Sequence, residues 1–294
     1  MTDHLRSLLQ SGLAEHFGHP VAIESAATLS GGCINHATRL VTSEGEFFAK
    51  WNEQGANDLF VREAESLRAL AEANSGLVIP KVIAVNAEGE LPGVLITSFL
   101  TEDRSNVKQQ DERLGRGLAQ LHRSQNDRYG FTHGNYCGAT PQNNDWNDDW
   151  VDFFGQQRIG HLLKLIKSKR SLPADDQRTY DQLINRLPQL IGHQPAASLN
   201  HGDLWSGNYL YTDHGPALID PASYYADREF DLALMAMFGG FSDTVWQSYQ
   251  AAYPLPSGWQ ERQSLYQLYH YLNHYYLFGG GYGQQALRIA KRYL

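Results

Sequence analysis

His201-Gly202-Asp203-Leu204-Trp205-Ser206-Gly207-Asn208, followed by Asp220 in Leu218-Ile219-Asp220-Pro221, is the stretch that decides how this chain folds. Its H-x-D-x-x-x-x-N spacing suits a phosphoryl-transfer loop. Such chemistry needs one carboxylate to accept the proton of an attacking hydroxyl, and Asp203 fits that role. It also needs a neutral oxygen ligand and a second carboxylate to hold a divalent cation against a triphosphate, and Asn208 and Asp220 fit those. Between them, Tyr209-Leu210-Tyr211 and Ala217-Leu218-Ile219 read as short strands. Asp213-His214-Gly215 supplies the turn of a hairpin that returns Asp220 beside Asn208. Asp, Asn and Gly are also ordinary turn residues, so the loop needs support from elsewhere in the chain.

That support lies near the N-terminus. Ala26–Leu29, Thr38–Val41 and Glu46–Trp51 read as strands, with Ser43-Glu44-Gly45 as a turn. Ser30-Gly31-Gly32-Cys33-Ile34-Asn35 joins the first two, and its paired glycines let backbone N–H groups approach phosphate. The spacing is not G-x-G-x-x-G, so a plain hairpin turn fits these residues equally well. Lys50 shares a strand face with Phe48, from which its ammonium can point at phosphates if an anion holds it. The helix expected over 57–73, capped by Asn57 or Asp58, supplies one. Phe60, Glu63, Leu67 and Leu70 fall on one stripe, whereas Glu65 lies about 200° around from Glu63. A glutamate on a buried stripe is costly unless paired, so Glu63 is the expected partner of Lys50. Leu95 to Leu100 is an apolar strand running into Thr101–Asp103, a hinge suited to adenine, with Thr97 and Phe99 as contacts.

With these residues in view, the chain resembles the fructosamine kinase (ketosamine-3-kinase) family, small-molecule relatives of the protein kinases and aminoglycoside phosphotransferases. The resemblance rests on Ser30–Asn35, Phe47–Lys50, Asp148–Phe154, His201–Asn208, Asp220–Tyr225, Phe238–Ser242 and Leu268–His274, which run in family order across nearly the whole chain. It implies an α+β, two-lobed protein-kinase-like fold. The small β-rich lobe would contain one key helix and span 1–97, and the larger, mainly helical lobe 98–294. It also implies ATP and Mg²⁺, transfer to the 3-hydroxyl of a ketosamine, spontaneous release of the product from the amine, and so a deglycation role. Gly31, Gly32, Cys33, Ile34, Asn35, Lys50, Glu63, Thr97 and Phe99 become nucleotide-side candidates, and Trp205, His201 and Tyr225 acceptor-side ones. Ala226 and Asp227 depart from the Gly-His that many members carry after the tyrosines, and are expected to bear on acceptor preference.

Composition is compatible. The chain has 294 residues, 42% of them hydrophobic and 19% charged, enough for two lobes with cores. A net charge of −8 argues against a nucleic-acid surface, and the basic stretch Lys164–Arg170 reads as a solvated helix end. Met1 to Leu13 reads as a short amphipathic helix rather than a signal peptide, and no apolar run approaches the ~20 residues of a membrane span, so a cytoplasmic enzyme is expected. Two cysteines make no disulfide framework. Cys137 reads as a small buried filler. Cys33, in the glycine loop, is either a packing residue or a reactive thiol that makes the chain a redox-sensitive homodimer rather than a monomer. Gly138–Asn147 reads as an acceptor-side loop and Asp111–His122 as a core helix. Leu265–Phe278 reads as an aromatic core helix rather than a zinc site at His270 and His274, stopped by Gly279-Gly280-Gly281.

Pro221-Ala222 follows Asp220 where a protein kinase has Phe-Gly, and no Ala-Pro-Glu comes later, which favours a small-molecule acceptor. Trp205 offers a face to a sugar or a cation, or it braces the loop. Two other readings share the catalytic residues: an aminoglycoside or choline phosphotransferase, which Trp205-Ser206-Gly207 and Asp220-Pro221-Ala222 disfavour, and a nucleotide-binding pseudokinase.

Overall fold

Alternating side chains build the first layer. In the computed structural model, which describes residues 1–29, 35–53, 56, 58–86 and 89–294, β1 (Ile23–Leu29), β2 (His36–Thr42) and β3 (Gly45–Asn52) pair antiparallel. Two further strands, β4 (Val82–Val85) and β5 (Gly93–Ser98), complete a sheet of order β1-β2-β3-β5-β4. Phe47 and Ala49 of β3 point to one face, and Phe48 and Lys50 to the other.

Each face carries a helix. On the first lies α1 (Asp3–Phe17), whose Leu5, Leu9 and Leu13 are buried with Val21, Leu40, Phe47, Val94 and Ile96. Thr2 caps it by accepting from Leu5 N (3.3 Å), and Gly18 ends it at φ 75°. The N-terminal helix is therefore longer than its amphipathic start indicates. On the second face lies α2 (Leu59–Glu72), whose Phe60, Ala64 and Leu67 pack on Leu95. Asp58 sits at the start of α2 but does not cap it. Its carboxylate accepts instead from Arg62 Nε (3.0 Å) and the Tyr136 hydroxyl (2.6 Å). Asn57 lies outside the described residues.

The lobes share packing behind the sheet. Leu70 and Leu77 belong to the large core, and Val78 exchanges backbone bonds with Pro216 (2.9 Å) and Leu218 (3.0 Å). After β5 the chain crosses over, Asp103 N donating to Tyr211 O (2.8 Å), and enters α3 (Val107–Leu121) four residues ahead of Asp111.

The large lobe is mainly helical. Helix Glu229–Phe238 is buried on every side from Glu229 to Met235, as its apolar sequence requires. Trp150, Phe153 and Phe154 open a rod that passes through a π-helical stretch, Phe153–Gly160, into His161–Lys169. The Trp150 ring stacks on Phe153 and Phe154 (5.7 Å each), and its Nε1 donates to Tyr266 (2.9 Å). The aromatic residues of the Asp148–Phe154 block are thus core, while Asp148, Asp149 and Asp152 are exposed. Lys164, Lys167 and Lys169 are exposed, as expected of a solvated helix end, and Lys169 and Arg170 also lie over the rings of Tyr276 and Tyr275. Ala226 and Asp227 are also buried. Asp227 accepts from the Tyr266 hydroxyl (2.7 Å) and Glu229 N (3.0 Å), so these departures brace a helix start and do not reach an acceptor. Within Gly138–Asn147, Thr140–Gln142 pairs with Asn135–Cys137 in a short hairpin, and 143–146 remain loop. Among the described residues, no helix is long and apolar enough to cross a membrane.

Helix Trp259–Phe278 carries His270 as a core residue, its ring 4.8 Å from Phe230 and its Nε2 without a partner. Burial, with His274 adding to it, pushes its pKa down to about 3. The folded value lies below the unfolded one of about 6.5, so the unfolded chain binds more protons between them. This stability is present above about pH 6.5 and lost as pH falls towards 3, at up to ~1.4 kcal/mol per pH unit. The urea midpoint should fall between pH 7 and 5, and His270→Leu should show a shallower fall; equal slopes would contradict the assignment.

Candidate active site

The loop at 201–208 is held from beneath by Asp231, in the first turn of helix Glu229–Phe238. Its Oδ2 accepts from His201 N (2.6 Å) and its Oδ1 from Gly202 N (2.9 Å), while His122 Nε2 lies 3.3 Å away. Burial opposes the charge on Asp231, but these hydrogen bonds and histidines hold its carboxyl below the usual range. His201 is fully buried. Its Nε2 lies 2.9 Å from Ile219 O, and its Nδ1 accepts from Asp203 N (3.3 Å). Both nitrogens serve the loop, so His201 is a brace and does not face an acceptor. At Gly202, φ is 85° and a Cβ would meet Ala222 O at 2.0 Å, so only glycine fits. Asp231 and His122 were not among the expected residues. The available signal was a carboxylate on an otherwise apolar helix, which has to find partners.

Asp203 sits against Asn208. The amide Nδ2 donates to Asp203 O (2.8 Å) and Oδ2 (3.3 Å), leaving Asn208 Oδ1 as its uncommitted acceptor. Burial, then the charge of Asp220, pushes the Asp203 pKa up to about 7, against hydrogen bonds from the Cys137 thiol and Asn208. Cys137 is therefore more than filler: it touches the carboxylate, and burial together with Asp203 pushes its own pKa up. Strands Tyr209–Thr212 and Gly215–Leu218 form the expected hairpin, and Ile219 N donates to Asn208 O (3.0 Å). Asp220 is thereby returned beside Asn208. It adopts φ 57°, unusual for a residue with a Cβ, and its side chain is 44% exposed.

Lys50 reaches across from β3. Its Nζ donates to Glu63 Oε1 (2.8 Å) and to Asp220. Burial alone would lower the lysine pKa, but the two carboxylates outweigh it and keep the ammonium charged. Burial, with Asp220 adding to it, carries Glu63 above its ordinary range against the pull of Lys50. Glu65, on another face of α2, instead pairs with Arg62 (2.8 Å) and His133 (3.2 Å). Thr97 is buried opposite Phe48, on the same sheet face as Lys50. Phe99 lies under the Arg39 guanidinium (4.9 Å), and Asn35 Oδ1 accepts from Asn52 (2.8 Å). Gly31, Gly32, Cys33 and Ile34 lie outside the described residues, and the expected thiol switch with them.

Trp205 is 41% exposed and lays its ring over Gly207, where a Cβ would meet it at 2.2 Å. One face braces the loop, leaving exposed surface beside Asp203. Tyr225 is half-buried against Phe131 and Trp146, with Glu72 near its hydroxyl, and no contact brings it to the Asp203 carboxylate. The assembled groups are a carboxylate near neutrality, an amide oxygen, a second carboxylate and a charged ammonium, a set suited to moving a phosphoryl group onto a hydroxyl.

Comparisons with known proteins agree with this chemistry. Residues 6–294 match a family described as fructosamine kinase. A Synechocystis protein named a probable ketoamine kinase is 38% identical, over 96% of this chain and 94% of its own. The chloroplastic protein-ribulosamine 3-kinase of Arabidopsis thaliana is 36% identical, over 94% and 85%. A crystal structure from Haemophilus somnus, described as a candidate fructosamine-3-kinase, superposes with a TM-score of 0.85 at 30% identity, covering 97% of this chain and 96% of the other.

Because Lys50 and Glu63 act through one ion pair, their losses should overlap. Lys50→Met should lower kcat/KM at least ~100-fold and Glu63→Gln ~10-fold, with the double variant close to Lys50→Met alone. Multiplicative losses in steady-state kinetics would mean that the two act independently.

Proposed function

We propose that this chain, which belongs to the fructosamine kinase family, transfers the γ-phosphoryl group of ATP to the 3-hydroxyl of a ketosamine. The observation that carries the reading is the meeting of Lys50, Asp203, Asn208 and Asp220, drawn from two distant stretches of chain, at one cleft. Asp203 accepts the hydroxyl proton. Its raised pKa suits this, since a base near neutrality combines availability with proton affinity. Lys50 holds the α- and β-phosphates and is kept in place by Glu63. Residues 1–97 act as the nucleotide-covering lobe and 98–294 as the catalytic and acceptor lobe, in keeping with the end of β5 at Ser98.

The donor set suits Mg²⁺. Asp220 offers a partly exposed carboxylate, and Asn208 an amide oxygen whose nitrogen is already committed to Asp203. Two hard oxygen ligands, with phosphates and water completing the shell, are what this small cation takes. When bound, Mg²⁺ neutralises charge on the transferring phosphates. Asp220 would hold the cation in place of its contact with Lys50, whose ammonium, still paired with Glu63, would then face phosphate.

Trp205 supports the acceptor side: its exposed ring stands two residues from Asp203, where it can pack on the C–H face of a sugar or draw a protonated amine. The likeness to a probable ketoamine kinase and to a protein-ribulosamine 3-kinase favours ribulosamine or a related ketoamine over an aminoglycoside or choline. A pseudokinase would lack at least one of these polar groups, and none is missing. The reading makes the chain a cytoplasmic deglycation enzyme, since a 3-phosphorylated ketosamine detaches from its amine.

Purified protein with ATP and Mg²⁺ should release ADP with ribulosamine, erythrulosamine or fructosamine derivatives; turnover confined to aminoglycosides or choline would overturn the reading. Asp203→Asn should lower kcat at least ~100-fold with little change in ATP affinity. Asp220→Ala should abolish Mg²⁺-dependent transfer, and Asn208→Ala should be milder because water can enter. Near wild-type turnover by Asp203→Asn would remove that residue from the mechanism.

A further inference from the structure

Tyr136 belongs to the hairpin Asn135–Cys137/Thr140–Gln142, and alternation along its short strand sends neighbouring side chains to opposite sides. Asn135 and Cys137 face inwards. Asn135 Nδ2 donates to Ser223 O (2.9 Å), and its Oδ1 accepts from Gln142 and Asn144 (2.9 Å each). The Cys137 sulfur accepts from Asn273 (3.2 Å), while its thiol contacts Asp203. Thr140 bonds the same Asn273, and Tyr269 donates to Gln142 (2.7 Å). The inner face is thus fixed to the catalytic base and to helix Trp259–Phe278.

Tyr136 faces outwards, to the small lobe. Its hydroxyl donates to Asp58 Oδ1 (2.6 Å), at the first turn of the helix that carries Glu63. Burial would raise the Asp58 pKa, yet this bond and Arg62 hold it below the ordinary range, so the acceptor is a full carboxylate. Two more contacts from the same region reach α2. His133 meets Glu65 (3.2 Å), and Ser223 N donates to Ser66 Oγ (3.2 Å). Asp58, Glu65 and Ser66 fall close to one stripe of α2, and holding that stripe sets the rotation of the helix and therefore where Glu63 points.

We propose that Tyr136 is a positioning residue for phosphoryl transfer: by holding Asp58, it keeps α2 turned so that Glu63 stays on Lys50. The claim rests on the functional reading above. Through the hairpin, the placement of the Lys50–Glu63 pair is tied to the placement of Asp203. Protein kinases use a movable activation segment for this, and here Pro221-Ala222 leads instead into a buried strand and helix. The device is a fixed strut, so the helix is docked before either substrate arrives. On this proposal the effect of Tyr136 passes through Asp58 and Glu63 rather than through contact with a substrate.

The test compares the wild type with Tyr136→Phe, Asp58→Ala, Asp58→Asn and the pair Tyr136→Phe/Glu63→Gln. KM and kcat are measured for ATP and a ketosamine, and ATP binding is measured without acceptor. Tyr136→Phe and Asp58→Ala should each lower kcat/KM for ATP about tenfold and weaken ATP binding, while KM for the acceptor changes less than about twofold. Asp58→Asn keeps an acceptor oxygen and should retain more activity than Asp58→Ala. Adding Tyr136→Phe to Glu63→Gln should cost little more than Glu63→Gln alone. Wild-type ATP binding and kinetics in Tyr136→Phe would overturn the proposal. So would equal damage to both substrates, or multiplicative losses in the pair. If Tyr136→Phe does not fold, the two Asp58 variants decide the matter. A wild type that binds ATP but turns over no ketosamine would sink the acceptor assignment alone, since ATP binding by the variants still tests the strut.

Discussion

One ammonium holds the cleft together. Lys50 is a buried cation on β3, shared by Glu63 of α2 and by Asp220 from the large lobe. A buried charge is tolerable only while paired, and removing one partner of such a pair costs roughly 3–5 kcal/mol. Sheet and helix must therefore be in place together to pair the ammonium, and the hairpin brings it a second carboxylate in Asp220. The surrounding packing reads as the means to that end. α1 covers the far face of the sheet so that β3 presents Lys50 inwards, and Leu70 and Leu77 seat the small lobe on the large core.

The second constraint is an excess of carboxylates. Glu63 and Asp220 share one ammonium while Asp203 feels the charge of Asp220, and burial together with that charge is what raises Asp203 and Glu63. A site with surplus negative charge is prepared for a divalent cation, and the left-handed backbone at Asp220 is a local cost consistent with such a role. Asp231 differs. It is deeper, fully provided with donors and held ionised, so it organises the loop rather than taking part in its chemistry.

Whatever depended on local spacing was legible in the sequence. The loop and its hairpin, the strand bearing Lys50, and the stripe that singled out Glu63 all have short-range patterns of period 2 or 3.6. What was missed depends on contacts between distant residues. Two three-residue strands, set in a stretch rich in Asn, Gly and Pro, resemble a loop, and only their partners at Ser223, Asn273 and Asp58 make them a strut. His201 looked reactive by residue type, but its environment makes it a brace. Asp58 resembled a cap until Tyr136 and Arg62 claimed its oxygens. Ala226 and Asp227 lie near Asp220 in sequence yet face the core.

The central claim is that this cleft moves a phosphoryl group onto one particular hydroxyl. The most direct measurement is ³¹P NMR of the products formed from ATP, Mg²⁺ and a ribulosamine. A new phosphomonoester signal that correlates with the proton on carbon 3 of the sugar is predicted, with ADP formed in equal amount. Inorganic phosphate without a sugar phosphate, or a phosphate on another hydroxyl, would contradict it.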